Sequence, residues 1–295
     1  MTVPESIFIL GTTGYIGGAI FSAIRKTYPN VPIAALVRNP SHNDAVKARG
    51  ARIVQGSHSD HDIITKEASQ ADLVVNCADA DDLPLIKAIL KGMKQRKESG
   101  VKTPILIHTS GTSVVGDPPS GEATEWSKKV WNDANPEDIR SIDIKQPHRT
   151  IDVEIFEAHD RREVDAYIVC PSCIYGIGDG PVKRITQQIP NVIRAALREK
   201  KVQPTTSAYE NFYFGSAGTH EWGSVAKSLA PLLHEKKRVE SPEAVSIKLG
   251  SDLDFNIGNN SVSTADRGRA LGWKPHHESL EESLRKDLDY ILENL

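Results

Sequence analysis

Gly11, Gly14 and Gly17 stand three apart, behind the apolar run Ser6-Ile7-Phe8-Ile9-Leu10 and ahead of the apolar-periodic run Ala19 to Tyr28. Glycines so placed let a chain turn tightly, approach a pyrophosphate and pack the following helix on the strand. The free N–H groups and dipole at that helix start favour a bound anion. Thr13, Tyr15 and Ile16 ride the same turn. The spacing is G-x-x-G-x-x-G, where the usual dinucleotide fingerprint is G-x-G-x-x-G, and the strand before and helix after supply the context the pattern requires. Arg38 follows the second apolar run, Pro32 to Val37. An acid at that strand tip bonds the ribose hydroxyls of NAD, whereas the planar fork of an arginine pairs with a 2′-phosphate. Arg38 therefore points to NADP ahead of NAD, the alternative being a solvated arginine after a strand.

Three further groupings carry chemistry-bearing side chains. His58, Ser59, Asp60, His61 and Asp62 crowd the turn after the strand Arg52 to Gln55. Without a second ligand cluster they read as a loop and helix cap, with Ser59 or Asp60 as the cap, ahead of a metal site. Asp79, Asp81 and Asp82 precede Pro84 and a helix running to about Lys97, where capping and the helix dipole account for at least one of them, ahead of a metal site. Cys170-Pro171-Ser172-Cys173 has the spacing of a redox motif but follows a strand and opens no thioredoxin-like helix, so packing at a strand end is the expectation.

These residues need a frame. Strands are expected at 6–10, 32–37, 52–55, 71–77, 104–108 and 167–170, separated by helices at 19–28, 45–49, about 84–97 and about 146–158. Such alternation predicts an α/β fold: a Rossmann-type, doubly wound parallel sheet with a smaller C-terminal substrate lobe. The expected division is a dinucleotide-binding domain over 1–171, with return elements near 215–240, and a lobe formed mainly by 172–295. Asn76, Cys77 and Ala78 end the fourth strand, on the edge where open sheets bind ligands. Further helices are expected at 182–198, 223–236, 263–272 (capped by Ser263) and 279–292. A segment inserted over 118–145, with a short helix at 123–131 carrying Trp126 and Trp131, reads as either a lid or a packed flap.

With Tyr15-Ile16-Gly17 closing the glycine motif, Tyr167 to Gly176 leaving the sixth strand and Gly272-Trp273-Lys274-Pro275 near the end, the chain resembles the extended and atypical short-chain dehydrogenase/reductase superfamily, including NmrA-like members. The resemblance spans nearly the whole chain. It implies a nicotinamide cofactor, an acid near the adenine at Asp60, and a hydroxyl at the tip of strand five beside Thr109. Setting Val114-Val115-Gly116 on the family's Val-Tyr-Gly puts Gly111 where the serine belongs, with Ser110, Thr112 and Ser113 close by. The family's Tyr-x-x-x-Lys is absent, since no tyrosine has a lysine four residues on. In that register the lysine's place falls near His148 or Arg149, and the tyrosine's near Ile144 or Lys145. A histidine titrates near neutrality, so His148 is the candidate proton donor, with Lys145 behind it.

The bulk properties restrict the partners. Across 295 residues, 36 basic and 39 acidic side chains leave a net charge of −3, which argues against nucleic-acid binding by bulk charge. Three cysteines make no disulfide framework and fit a reducing compartment, and no apolar run has the length of a membrane span. The expectation is a cytoplasmic NADP-binding oxidoreductase, or epimerase-like enzyme, acting on a small carbonyl or alcohol. The competing expectation is an NmrA-like redox sensor or regulator that binds NADP and a protein partner without turnover.

Overall fold

A computed structural model describes residues 3–117, 128–199, 222–244, 262–264, 269, 272, 274 and 279–295. The chain divides into two units, and the first comprises residues 1–111, 147–169 and 178–184. Its strands β1 (Ile7–Leu10), β2 (Ile33–Val37), β3 (Ala51–Gln55), β4 (Leu73–Asn76), β5 (Ile105–Thr109) and β7 (Asp165–Val169) form one sheet in the order β3-β2-β1-β4-β5-β7. Every pairing is parallel, with β1 at the centre.

Parallel strands joined by helical crossovers are covered on both faces, so they are apolar on both sides. β1 shows this residue by residue. Phe8 and Leu10 join a core with Ile64 of α3 (His61–Ala68), Leu85 and Ile89 of α4 (Leu83–Glu98) and Ile155 of α6 (Arg149–Asp160). Ile7 and Ile9 turn the other way, to Phe21 of α1 (Tyr15–Thr27) and Val46 of α2 (Asn43–Lys47). The doubly wound sheet expected from the alternating pattern is therefore present, and the order of strands reverses at β1 and β4, where such folds open a ligand crevice at the carboxyl edge.

The second unit comprises 112–146, 170–177 and 185–295. It holds a parallel two-stranded ladder of β6 (Val130–Asn132) with β8 (Val262–Thr264), and the short helix α5 (Pro136–Arg140). Its larger core gathers Ile189 and Ile193 of α7 (Gln188–Glu199), Leu229 and Leu233 of α8 (Trp222–Glu235), Leu284 and Leu288 of α9 (Leu280–Glu293), and Cys173. The helix α8, expected to return to the sheet, gives its buried face to this core. A capping box at Ser279 and Glu282 starts α9.

Several boundaries differ from expectation. Val130 and Trp131 lie in a strand and not in a helix, and Trp131 is buried against Val114, Val115 and Ile142, where its ring fills a small core. Ser263 likewise lies in a strand, and most of the helix expected after it lies outside the described residues. The helix expected from 182 begins at Gln188, because residues 178–184 belong to the first unit. Trp126, Tyr209, Tyr213, Trp273 and Pro275 lie outside the described residues. Cys170 and Cys173 form no disulfide: Cys170 packs beside the Trp131 core and Cys173 is buried in the larger one, which is the packing role.

Candidate functional site

The β1–α1 turn is made by backbone. Gly11 has φ +91°, and a Cβ there would lie 2.4 Å from the Cys77 carbonyl oxygen. A Cβ on Gly17 would meet the Gly11 oxygen at 2.3 Å, so the helix can close on the turn only through glycine. At the start of α1 the capping position is Gly14, no side chain caps it, and no acid stands in the first turn. Uncapped N–H groups with no competing carboxylate suit a phosphate, and the turn fits a dinucleotide's pyrophosphate. Over this turn runs the segment 178–184. The Lys183 N–H donates to the Thr13 oxygen at 3.3 Å, and the Ser22 hydroxyl donates to the Asp179 oxygen at 3.0 Å. Gly18 and Gly180 meet so closely that a Cβ on either would lie 3.0 Å from the other's Cα. Nothing in the sequence placed this strap on the turn, although Gly178-Asp179-Gly180-Pro181 signals a tight approach.

Arg38 sits exposed at the β2 tip. Gln55 holds its backbone by donating Nε2 to the carbonyl oxygens of Val37 at 2.9 Å and Arg38 at 3.0 Å. The guanidinium thus stands on a fixed strand end. Asp60 occupies the cap position of α3, but its carboxylate turns back to accept from the Ser57 N–H at 2.6 Å and the Ser57 hydroxyl at 2.8 Å. That backbone N–H, then the hydroxyl, holds the Asp60 carboxyl below its ordinary range. Asp60 therefore shapes the loop after β3 and does not cap the helix by its side chain. Among the three acids after β4, Asp82 is the cap, accepting from the Leu85 N–H at 2.9 Å.

The other half of the carboxyl edge is made by side chains. Asn76 and His108 are register partners on β4 and β5, both buried. Asn76 Nδ2 donates to His108 Nδ1 at 3.1 Å, and Asn76 Oδ1 accepts from the Ala78 N–H at 3.2 Å. This places the His108 proton on Nε2. Burial, and after it the neighbouring His148, push His108 down to about 4, against the pull of Asp81. The neighbouring Cys77 Sγ and Thr109 Oγ1 pair at 3.2 Å, and burial raises the Cys77 thiol to about 11. Cys77 is accordingly a spacer at the edge and not a nucleophile.

His148 precedes α6 as its cap residue, with φ +65°. A non-glycine side chain held in that region stores backbone strain, which its surroundings must hold in place. Here Asp81 does so. Its Oδ1 accepts from His148 Nδ1 at 2.8 Å and from the His148 N–H at 3.2 Å. The carboxylate fixes the imidazole with its proton on Nδ1 and leaves Nε2 as the exchanging nitrogen. One turn further on, Asp152 shares the inward stripe of α6 with Arg149, Ile151, Ile155 and Ala158. Its carboxyl is pushed up to about 6 by burial, while the Ser110 hydroxyl, Arg149 and His148 draw it back and Asp81 adds to the rise.

The fold therefore brings Ser110 and His148 into one cluster with Asp81, Asp152, His108 and Asn76, all within the first unit. Of the other sequence candidates, Thr112 and Ser113 lie in a 3-10 turn of the second unit, with Thr112 buried. Lys145 also belongs to that unit and is exposed, its N–H bonded to Asp143 Oδ1 at 2.8 Å. In the sequence Asp81 reads as one of three acids before a helix, and Asp152 carries no assigned role. Asp152 left a signal, an acid inside an apolar helical stripe one turn beyond His148. Asp81 left none, being 67 residues away from the histidine it holds.

Residues 11–143 match a family model described as NAD(P)H-binding. Oxidase ucsJ of Acremonium sp. is 27% identical, the match covering 99% of this chain and 97% of that protein. Among solved structures, UDP-glucose 4-epimerase of Thermotoga maritima aligns with a TM-score of 0.66 at 13% identity, over 98% of this chain and 99% of that one. The dTDP-glucose 4,6-dehydratase of Bacillus anthracis, in complex with NAD, gives 0.63 at 15% identity, over 98% and 97%. No described helix is long and apolar enough to cross a membrane. Residues 11–143 thus match an NAD(P)H-binding family model, and the chain has the Rossmann-like fold of these epimerase and dehydratase structures.

Proposed function

We propose that this chain is an NADP(H)-dependent oxidoreductase exchanging hydride with a small carbonyl or alcohol, with His148 as its proton donor and acceptor. The observation that carries the reading is the His148–Asp81 pair, a strained histidine held by a carboxylate at the carboxyl edge of the sheet. The turn at Gly11, Thr13, Gly14, Tyr15, Ile16 and Gly17 would hold the pyrophosphate, Asn76, Cys77, Ala78 and Thr109 would border the nicotinamide half, and Asp60 the adenine side. Arg38 would pair with the 2′-phosphate. When bound, the nicotinamide supplies or accepts the hydride. Ser110 holds the substrate oxygen, and the Thr112 and Ser113 hydroxyls are the alternatives to it. His148 Nε2 gives that oxygen its proton in reduction and takes it back in oxidation. Asp81 stabilises the imidazolium and keeps its ring in register, the part an orienting carboxylate plays beside a catalytic histidine. Lys145 is the weaker candidate for the same proton.

The test is transfer of label. Incubation with a panel of aldehydes and ketones and NADPH deuterated at C4 should place deuterium on the carbinol carbon of a product, with NADPH absorbance falling in step. Absence of label across the panel, with tight NADPH binding, would favour the second reading: an NADP-binding redox sensor that engages a protein partner. The missing Tyr-x-x-x-Lys is what supports that reading.

A further inference from the structure

The strap 178–184 belongs to the first unit and is a closed loop. The Gly178 N–H donates to the Arg184 oxygen at 2.8 Å, and Arg184 Nε donates to the Gly178 oxygen at 2.7 Å. It follows α1 toward the glycine turn. Ser22 binds the Asp179 oxygen at 3.0 Å while its hydroxyl accepts from Arg49 Nη1 at 2.8 Å, Gly180 presses on Gly18, and a Cβ on Gly178 would lie 3.0 Å from the Tyr15 ring. At the turn itself the Lys183 N–H meets the Thr13 oxygen at 3.3 Å. Lys183 is exposed, and its ammonium bonds to nothing among the described residues.

The turn offers amides and no cation. No residue from Gly11 to Ala19 is basic, and the basic residues of α1, Arg25 and Lys26, stand in its last turn. A pyrophosphate carries a charge on each phosphate, whereas a helix start supplies only roughly half a charge. We propose that Lys183 supplies the missing cation, its ammonium pairing with the pyrophosphate of the bound dinucleotide, on the reading that the pyrophosphate lies on this turn and whether or not hydride is transferred. The four-carbon stem spans roughly 6 Å, so from a backbone bonded to Thr13 the ammonium reaches a phosphate on the turn. The other charges of the strap are kept from that place. Arg184 is turned back to the Gly178 oxygen, and the strap's one acid, Asp179, is tied by its carbonyl to Ser22, eight residues past Gly14 and so about 12 Å along the helix. Glycine at 178 and 180 lets the strap lie close enough to hold the lysine over the turn.

Calorimetry on the whole chain tests this with ADP-ribose, NAD and NADP, which carry the pyrophosphate, and 2′-AMP, which does not. Lys183→Met keeps the stem and removes the charge. It should weaken the first three ligands alike, by about tenfold for one charge-assisted contact, and leave 2′-AMP unchanged. Lys183→Arg should restore most of the lost affinity. The gap between wild type and Lys183→Met should narrow as salt is raised, because salt screens an exposed pair. Labelling with acetic anhydride, read by mass spectrometry, gives a second readout: ADP-ribose should shield Lys183 and leave the exposed Lys26 reactive, while 2′-AMP should shield neither. Equal ADP-ribose affinity in wild type and Lys183→Met, a loss confined to NADP and 2′-AMP, a loss shared equally by all four ligands, or Lys183 labelled as fast with ADP-ribose as without it overturns the proposal and leaves cofactor binding standing. A wild type that binds none of the three pyrophosphate ligands overturns both the proposal and the reading beneath it.

Discussion

The β1–α1 turn and the β5–α6 junction occupy the same carboxyl edge of one sheet and are built by opposite means. At the turn the working groups are backbone amides, and side chains are excluded because Gly11 and Gly17 press against carbonyl oxygens. At the junction the working groups are side chains from four separate segments, gathered where burial and mutual charge displace His108 and Asp152 from their ordinary ranges. The first region is a shape and should respond to volume. The second is a charge arrangement and should respond to pH and to isosteric changes that leave volume alone.

The largest expected effect is at the junction. Asp81→Asn keeps size but weakens the hold on the His148 ring, and kcat on any reduced carbonyl should fall on the order of 10²–10³, about 3–4 kcal/mol, with NADPH binding unchanged. An unaltered kcat would remove Asp81 from the account.

Stability against pH sharpens the contrast further. Asp152 has a folded value of about 6, above its ordinary value of 3.8, so the folded state holds the extra proton and stability declines as pH rises between them. His108 has a folded value of about 4, below its ordinary value of 6.5, so stability declines as pH falls between them. Each is worth about 3 kcal/mol across its window, with opposite sign, and the windows overlap almost entirely. Wild type should be nearly level there in urea melts. Asp152→Asn should expose the histidine slope, losing about 3 kcal/mol on acidification, and His108→Gln should expose the reverse. Parallel curves for all three proteins would show that the two groups are not displaced as described.

The turn, in contrast, should register single methyl groups. Gly17→Ala places a Cβ 2.3 Å from the Gly11 oxygen and should cost about 2–3 kcal/mol, with loss of NADPH fluorescence enhancement. Gly14→Ala meets its nearest atom at 3.2 Å, and should cost about 1 kcal/mol or less. Equal costs would mean that the turn has slack. At the β2 tip, Arg38→Ala should weaken NADP by about 1.5–3 kcal/mol and leave NAD nearly unchanged in calorimetry, since one charge-assisted contact is lost. A wild type that prefers NAD would instead return Arg38 to solvent.

The same contrast decides how much could be read in advance. Turns and sheets are local: three glycines, an apolar run and a periodic helix specify the β1–α1 unit within about twenty residues, and repetition of strand and helix implies a parallel, doubly wound sheet. The junction is not local. His148 was found through its register on a family helix, but its partner Asp81 comes from the far side of two strands and reads in isolation as one more acid before a helix. The helix itself begins at Arg149, leaving His148 outside in a strained conformation that no periodicity signals. Val130-Trp131 reads as helix in the sequence for a related reason, since a short strand paired with residues 262–264 depends on a partner more than a hundred residues away.

The central claim is that His148 moves the proton that accompanies hydride transfer. Single-turnover stopped-flow of NADPH absorbance, wild type against His148→Ala with a carbonyl from the panel that wild type reduces, tests it directly. The account predicts a wild-type transient that slows by on the order of 10² or more in the variant while cofactor affinity holds. A variant transient as fast as wild type, or no wild-type transient with any carbonyl of the panel, would contradict it.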